Sequence, residues 1–138
     1  MTGNERDRQD PDSSAQLRHE LDQTERFLKL VLETGRMNGA YVDRDLRHTW
    51  VHNNEPEPTP AEILGRTDAE LFPGGVAEPT MAIKRDAIDA GGRIEREFSF
   101  AKPDGLRRYR AAAEPLHDEE DEVAGAMFAA IDVSDRYR

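Results

Sequence analysis

Residues 93–133 read RIEREFSFAKPDGLRRYRAAAEPLHDEEDEVAGAMFAAIDV, and this stretch decides the fold. Ile94, Arg96, Phe98 and Phe100 alternate with Glu95, Glu97 and Ser99, the period of two expected of a half-buried strand. Lys102-Pro103-Asp104-Gly105 puts Pro and Gly where a chain reversal needs them. A second strand follows over 106–116, an acidic turn over 117–122 and a third strand over 123–133. Connections this short join antiparallel neighbours, so the three strands form a meander. In the last strand both alternating sets are apolar. Val123, Gly125, Met127, Ala129 and Ile131 share one face, and Ala124, Ala126, Phe128 and Ala130 share the other. Such a strand is expected to be covered on both sides.

Upstream, the punctuation specifies helices. Thr59-Pro60-Ala61-Glu62 and Thr67-Asp68-Ala69-Glu70 both have capping-box spacing, the first with Pro at the first helical position. A longer helix is expected over 76–90, with Met81, Ile83, Ala87 and Ile88 as its apolar side and Gly91-Gly92 as its stop. Earlier still, 37–42 and 46–52 read as strands around an Asp43-Arg44-Asp45 turn. A lone hairpin is marginal in water, so this pair must join the same sheet. The order is helix, two strands, three helices, three strands, which predicts an α+β domain on an antiparallel sheet.

Residues 1–12 are polar and charged, and are expected to be disordered. Ser13 and Gln16 have capping-box spacing, so a helix is expected from Ser13 to about Glu33, with Gly35 as a left-handed stop. Leu17, Leu21, Thr24, Leu28 and Val31 step by 4, 3, 4 and 3, a seam of coiled-coil period. Phe27, Leu30 and Leu32 widen the apolar face at its C-terminal end. The seam fits pairing with a second copy. It also fits a helix packed on its own core. From its own chain or a partner's, the helix is expected over the outer face of the sheet, where the last strand needs its second cover. The expected organisation is therefore a tail over 1–12, a dimerisation helix over 13–35 and one domain over 36–138.

Composition narrows the partners. Lys and Arg number 19 against 29 Asp and Glu, a net charge of −10 in 138 residues. Such a surface repels duplex nucleic acid and anionic membranes, so neither is expected as a partner. Cysteine is absent, which excludes thiol nucleophiles, disulfides and thiolate metal sites. No apolar run approaches the roughly 20 residues of a membrane span, and the N-terminus lacks a signal-peptide core. A cytoplasmic location is expected.

The order of elements resembles the PAS fold. Tyr41 to Val51 (YVDRDLRHTWV) resembles the opening hairpin of PAS domains in bacterial histidine kinases of the HWE type. Ile63 to Phe72 (ILGRTDAELF) resembles their helical segment. Glu114-Pro115-Leu116 before an acidic turn, and then Ile131-Asp132-Val133-Ser134, resembles the end of the last PAS strand. The likeness covers about 36–136. It implies a five-stranded antiparallel sheet with helices enclosing a pocket on one face. It also implies ligand sensing, homodimerisation and relay to an output, with Asp132 and Ser134 as the signal exit. A kinase or another signalling protein would be the partner. The expected function is the input module of a histidine kinase; a free-standing regulator and a small-molecule enzyme are the alternatives.

Candidate chemistry is sparse. Trp50, Met81, Phe98, Phe100 and Phe128, with Tyr109, fit the lining of a pocket, although as residue types they fit ordinary core better. Ala111 to Ala113 beside the small residues of 124–130 leave room at the sheet centre for a close-packed helix or a ligand. His48 and His52, four apart on a strand, are expected on one face and about 13 Å apart, too far for one metal ion. No nucleophile–base pattern, phosphate loop or metal spacing is present. The resemblance implies a histidine on the long helix for haem and a cysteine beside flavin; the helix over 76–90 has no histidine and the chain has no cysteine, so neither haem nor a covalently linked flavin is expected. No cofactor is expected.

Overall fold

The structure, a computed structural model, describes residues 11–137. Most of the segment expected to be disordered, 1–10, lies outside the described residues. The chain divides into two compact units between Thr34 and Gly35.

The first unit is helix α1, Pro11–Thr34. It begins two residues before Ser13, so Ser13 lies in the first turn rather than at the cap. Proline is compatible with that start because the first helical N–H has no intrahelical partner. Along the helix, Thr24 Oγ1 donates to the Glu20 carbonyl at 2.9 Å. Lys29 pairs with Glu25 one turn earlier at 3.3 Å, an orientation worth about 0.2–0.5 kcal/mol. The left-handed conformation expected at Gly35 falls on Arg36, at φ 54°.

The second unit is α+β. Strands β1 (Met37–Asp43), β2 (His48–His52), β3 (Ile94–Lys102), β4 (Gly105–His117) and β5 (Val123–Asp132) form one five-stranded sheet. Its order is β2-β1-β5-β4-β3, and every neighbouring pair is antiparallel. The opening hairpin joins through β1, which pairs with β5 from Met37↔Ile131 to Asp43↔Gly125. Between β2 and β3 run the short helices α2 (Pro60–Ile63) and α3 (Asp68–Leu71) and the longer α4 (Glu78–Ala90). Both short helices carry complete capping boxes, Thr59 with Glu62 and Thr67 with Glu70. Helix α4 starts at Glu78 rather than Val76, and Gly91 ends it in the left-handed conformation at φ 65°.

Register assigns each side chain to a face. The inner face carries Ala40, Val42, Tyr109, Ala111, Ala113, Ala126 and Ala130, all buried. Ile83 and Ala87 of α4 pack on Tyr109, Ala111, Ala113 and Ala130. Met81 and Ile88 pack on Val42, Leu46 and Ala126. The alanines at the sheet centre thus make room for a helix backbone, which sits closer over methyl groups than over larger side chains. Gly125 serves a different contact: a Cβ there would run into the Val42 carbonyl oxygen.

One irregularity re-aims β2. Tyr41 pairs with Trp50, but Val42 pairs with His48, so Thr49 is an extra residue. This bulge turns His48 to the inner face with Val42, while Trp50 and His52 stay opposite Tyr41 and Gly39 on the outer face. The expectation that His48 and His52 share a face is therefore corrected. Strict alternation, the basis of that expectation, fails at a bulge.

Candidate functional site

A cavity of about 640 Å³ lies between the inner face of the sheet, the helical block and the 53–58 loop. Its volume is in the range of small-molecule sites. Phe98 and Phe100 reach it from β3, Tyr109 from β4, Phe128 from β5 and Phe72 from the end of α3. Four of these rings form a continuous wall. Phe98 stacks on Tyr109 at 5.6 Å between centroids and 16° between planes. Phe100 meets Tyr109 edge-on at 6.4 Å and Phe72 edge-on at 5.1 Å.

Of the six residues expected to line a pocket, Phe98, Phe100, Tyr109 and Phe128 are in the lining and Trp50 and Met81 are not. Trp50 is on the opposite face of the sheet, against Tyr41 at 5.3 Å. Met81 is spent in the packing of α4 on Val42, Leu46 and Ala126.

The inner end of the cavity is polar, and sequence reasoning did not find it. Asp68 stands at the start of α3, fixed by the Thr67 cap. Its Oδ2 accepts from Lys84 Nζ at 2.6 Å and from Thr80 Oγ1 at 2.8 Å, both on α4. Its Oδ1 lies 3.3 Å from His48 Nε2. Lys84 is 2% exposed, His48 6% and Asp68 8%. The Lys84 ammonium also lies 4.7 Å from the centre of the Phe128 ring, a cation–π contact. Four residues from β2, α3 and α4 are therefore tied together at the cavity wall.

Charge states follow from these contacts. Burial works to raise the Asp68 carboxyl, but Lys84, with help from His48 and Thr80, outweighs it and holds the group below its ordinary value. Burial and the Lys84 charge push His48 down, against the Arg66 carbonyl and Asp68. His48 Nδ1 is 2.7 Å from the Arg66 carbonyl. A carbonyl only accepts, so Nδ1 carries the proton of the neutral ring. Nε2 then donates to Asp68 only in the imidazolium form.

At the mouth, Lys102 Nζ pairs with Glu55 at 2.9 Å, linking the end of β3 to the 53–58 loop. Lys102 also lies 5.6 Å from the centre of the Tyr109 ring. Arg107 donates through Nε and Nη2 to Asp132 Oδ2, at 2.8 and 2.6 Å. The other Asp132 oxygen accepts from the Ser134 N–H at 2.8 Å, and Ser134 Oγ accepts from the Arg108 N–H at 2.9 Å. Asp132 thus lines the cavity and also fixes the 3₁₀ turn Ser134–Tyr137. Burial opposes its charge, but Ser134 and Arg107 keep the carboxyl below its ordinary value.

A family model described as "PAS fold" matches residues 32–138. Histidine kinase 5 of Arabidopsis thaliana is 28% identical over 122 residues, spanning 88% of this chain and 13% of the plant protein. A protein of Oryza sativa subsp. indica described as "Probable histidine kinase 1" is 29% identical over 117 residues, spanning 84% and 12%. The chain thus spans about an eighth of the curated relatives it matches. Among solved structures, the PAS domain of a Colwellia psychrerythraea protein superposes with a TM-score of 0.63 at 16% identity, over 84% of this chain and 98% of that one. The Vibrio cholerae VqmA dimer superposes with a TM-score of 0.63 at 18% identity, over 79% of this chain and 52% of VqmA.

The VqmA likeness corrects the exclusion of nucleic acid. That structure is described in terms of target DNA and the DNA-binding mechanisms of LuxR-type receptors. The net charge of −10 belongs to one acidic module alone. Nearly half of the VqmA chain lies outside the superposition and is available for other contacts. Net charge on a sensory module therefore sets no bound on the partners of a whole protein. Among the described residues, no helix is long and apolar enough to cross a membrane.

Proposed function

The chain belongs to the PAS-fold family, and on that premise we propose that it is the sensory input module of a signal-transduction histidine kinase. In this reading a small ligand occupies the aromatic cavity, and helix α1 pairs with that of a second copy through Leu17, Leu21, Thr24, Leu28 and Val31.

The observation that carries the proposal is the double position of Asp132. One carboxylate oxygen faces Arg107 at the cavity, and the other fixes the turn where the chain leaves the sheet. A ligand that shifts the Arg107 side chain alters the geometry at Ser134. Change in the cavity thereby reaches whatever follows. The relatives support the kinase as output, because one is named a histidine kinase and the other a probable one, and both match over most of this chain.

Native mass spectrometry of the purified protein tests both arms. The expected result is a dimer that retains a small molecule. A monomeric, ligand-free mass at micromolar concentration overturns the dimer and ligand assignments together. The kinase assignment is tested by the reading frame, which should continue past Arg138 into a kinase core.

A further inference from the structure

We propose that the cavity selects uncharged, flat aromatic ligands and rejects carboxylates and phosphates. The inference rests on the reading of this cavity as a ligand site.

The lining contains three Lys or Arg side chains, and each is already held by a carboxylate of the same lining. Lys84 is held by Asp68 at 2.6 Å, Lys102 by Glu55 at 2.9 Å and Arg107 by Asp132 at 2.6 Å. Glu57 and Asp104 add two more carboxylates to the lining. An anionic ligand would have to displace a carboxylate from its cation, or bring a further negative charge among five. At the inner end the first route is closed by burial, because an expelled Asp68 carboxylate would be left without its partner away from water.

Hydrogen-bonding capacity remains once the charges are balanced. The Lys84 ammonium has three donors, of which Asp68 takes one. Beside it, Asp68 Oδ1 still has acceptor capacity, since His48 donates to it only when protonated. An adjacent donor and acceptor on a neutral ligand, as in an amide, complement this pair. The stacked Phe98 and Tyr109 and the edge-on Phe100 and Phe72 complete a wall suited to a flat ring.

Isothermal titration of the whole chain with 2-naphthamide and 2-naphthoate at neutral pH separates the possibilities, because the two share a ring and differ in charge. The amide is expected to bind at least about ten-fold more tightly. Asp68→Asn releases the Lys84 charge and should move the ratio at least about ten-fold toward the carboxylate. If that variant does not fold, Glu55→Gln releases Lys102 and should move the ratio in the same direction. Equal or tighter binding of 2-naphthoate by the unmodified protein overturns this inference and leaves the cavity a ligand site. A folded Asp68→Asn protein with an unchanged ratio also overturns it. Binding of neither compound at millimolar concentration overturns the ligand reading, and this inference falls with it.

Discussion

Asp68 is the residue on which the helical block and the sheet are pinned together. It takes a charged partner and a hydroxyl from α4 and faces a ring from β2. Burying such a pair is a poor source of net stability, but removing one member leaves an uncompensated charge. Lys84→Met should therefore cost about 3–5 kcal/mol in denaturant unfolding. Adding Asp68→Asn removes the stranded charge, so the double variant should be more stable than Lys84→Met alone. A double variant no better than the single one sinks the ion-pair account. His48 gives the pH dependence. Its folded-state pKa is depressed below the ordinary 6.5, so the unfolded chain binds the proton more readily. Stability is then complete above 6.5 and falls as pH drops below it. Asp68, also depressed, adds a second loss on acidification below its ordinary 3.8. Unfolding midpoints should decline from neutral pH through about pH 6, and His48→Gln should flatten that decline. The cluster left one trace in the sequence. On a helical wheel Thr80 and Lys84 fall inside the apolar arc of Met81, Ile83, Ala87 and Ile88. A lysine centred in an apolar stripe signals a buried partner. Its identity was not legible, because Asp68 looked like an ordinary first-turn acid beside a capping box.

At the scale of elements, the sequence carried most of the information. The capping boxes at Thr59 and Thr67 form although the one expected at Ser13 does not, the three C-terminal strands are a meander, and the hairpin joins the sheet. These features rest on local chemistry that tertiary contacts did not override. What local chemistry did not specify was register. Trp50 has the composition of a pocket residue, yet pairing with Tyr41 places it on the outer face. No residue in HTWVH announces the Thr49 bulge, because Thr is an ordinary strand residue. Gly125 is a place where the pairing can be tested. Its position opposite Asp43 and Leu116 puts any Cβ against the Val42 carbonyl, a backbone atom that can move only with β1. Gly125→Ala should lower stability by about 1–3 kcal/mol, the usual range for overpacking. Gly92→Ala, with nothing within 4 Å of the added atom, is the matched control and should be near neutral. Thermal unfolding followed by circular dichroism compares the two. Equal effects would mean that β1 and β5 do not approach as closely as this register requires.

The whole molecule poses a question of assembly in which charge and the apolar seam oppose each other. The 3.5-residue spacing of Leu17, Leu21, Thr24, Leu28 and Val31 was legible because it repeats along one element. Its occupant was not, since one apolar stripe suits a partner copy or the same chain. Ionic strength distinguishes the sources of dimer stability. Two chains of net charge −10 repel each other, and salt screens that repulsion beyond roughly 10 Å at 0.1 M. Burial of the seam is insensitive to screening at such concentrations, so a dimer held by it should tighten as sodium chloride is raised. A dimer held by ion pairs between helices should loosen instead. Sedimentation equilibrium across a salt series measures this directly. Leu21→Glu with Leu28→Glu should convert the protein to monomer at every salt concentration, with the circular dichroism of the sheet unit unchanged. A dimer that weakens with salt, or one that survives both glutamates, places the interface away from this seam.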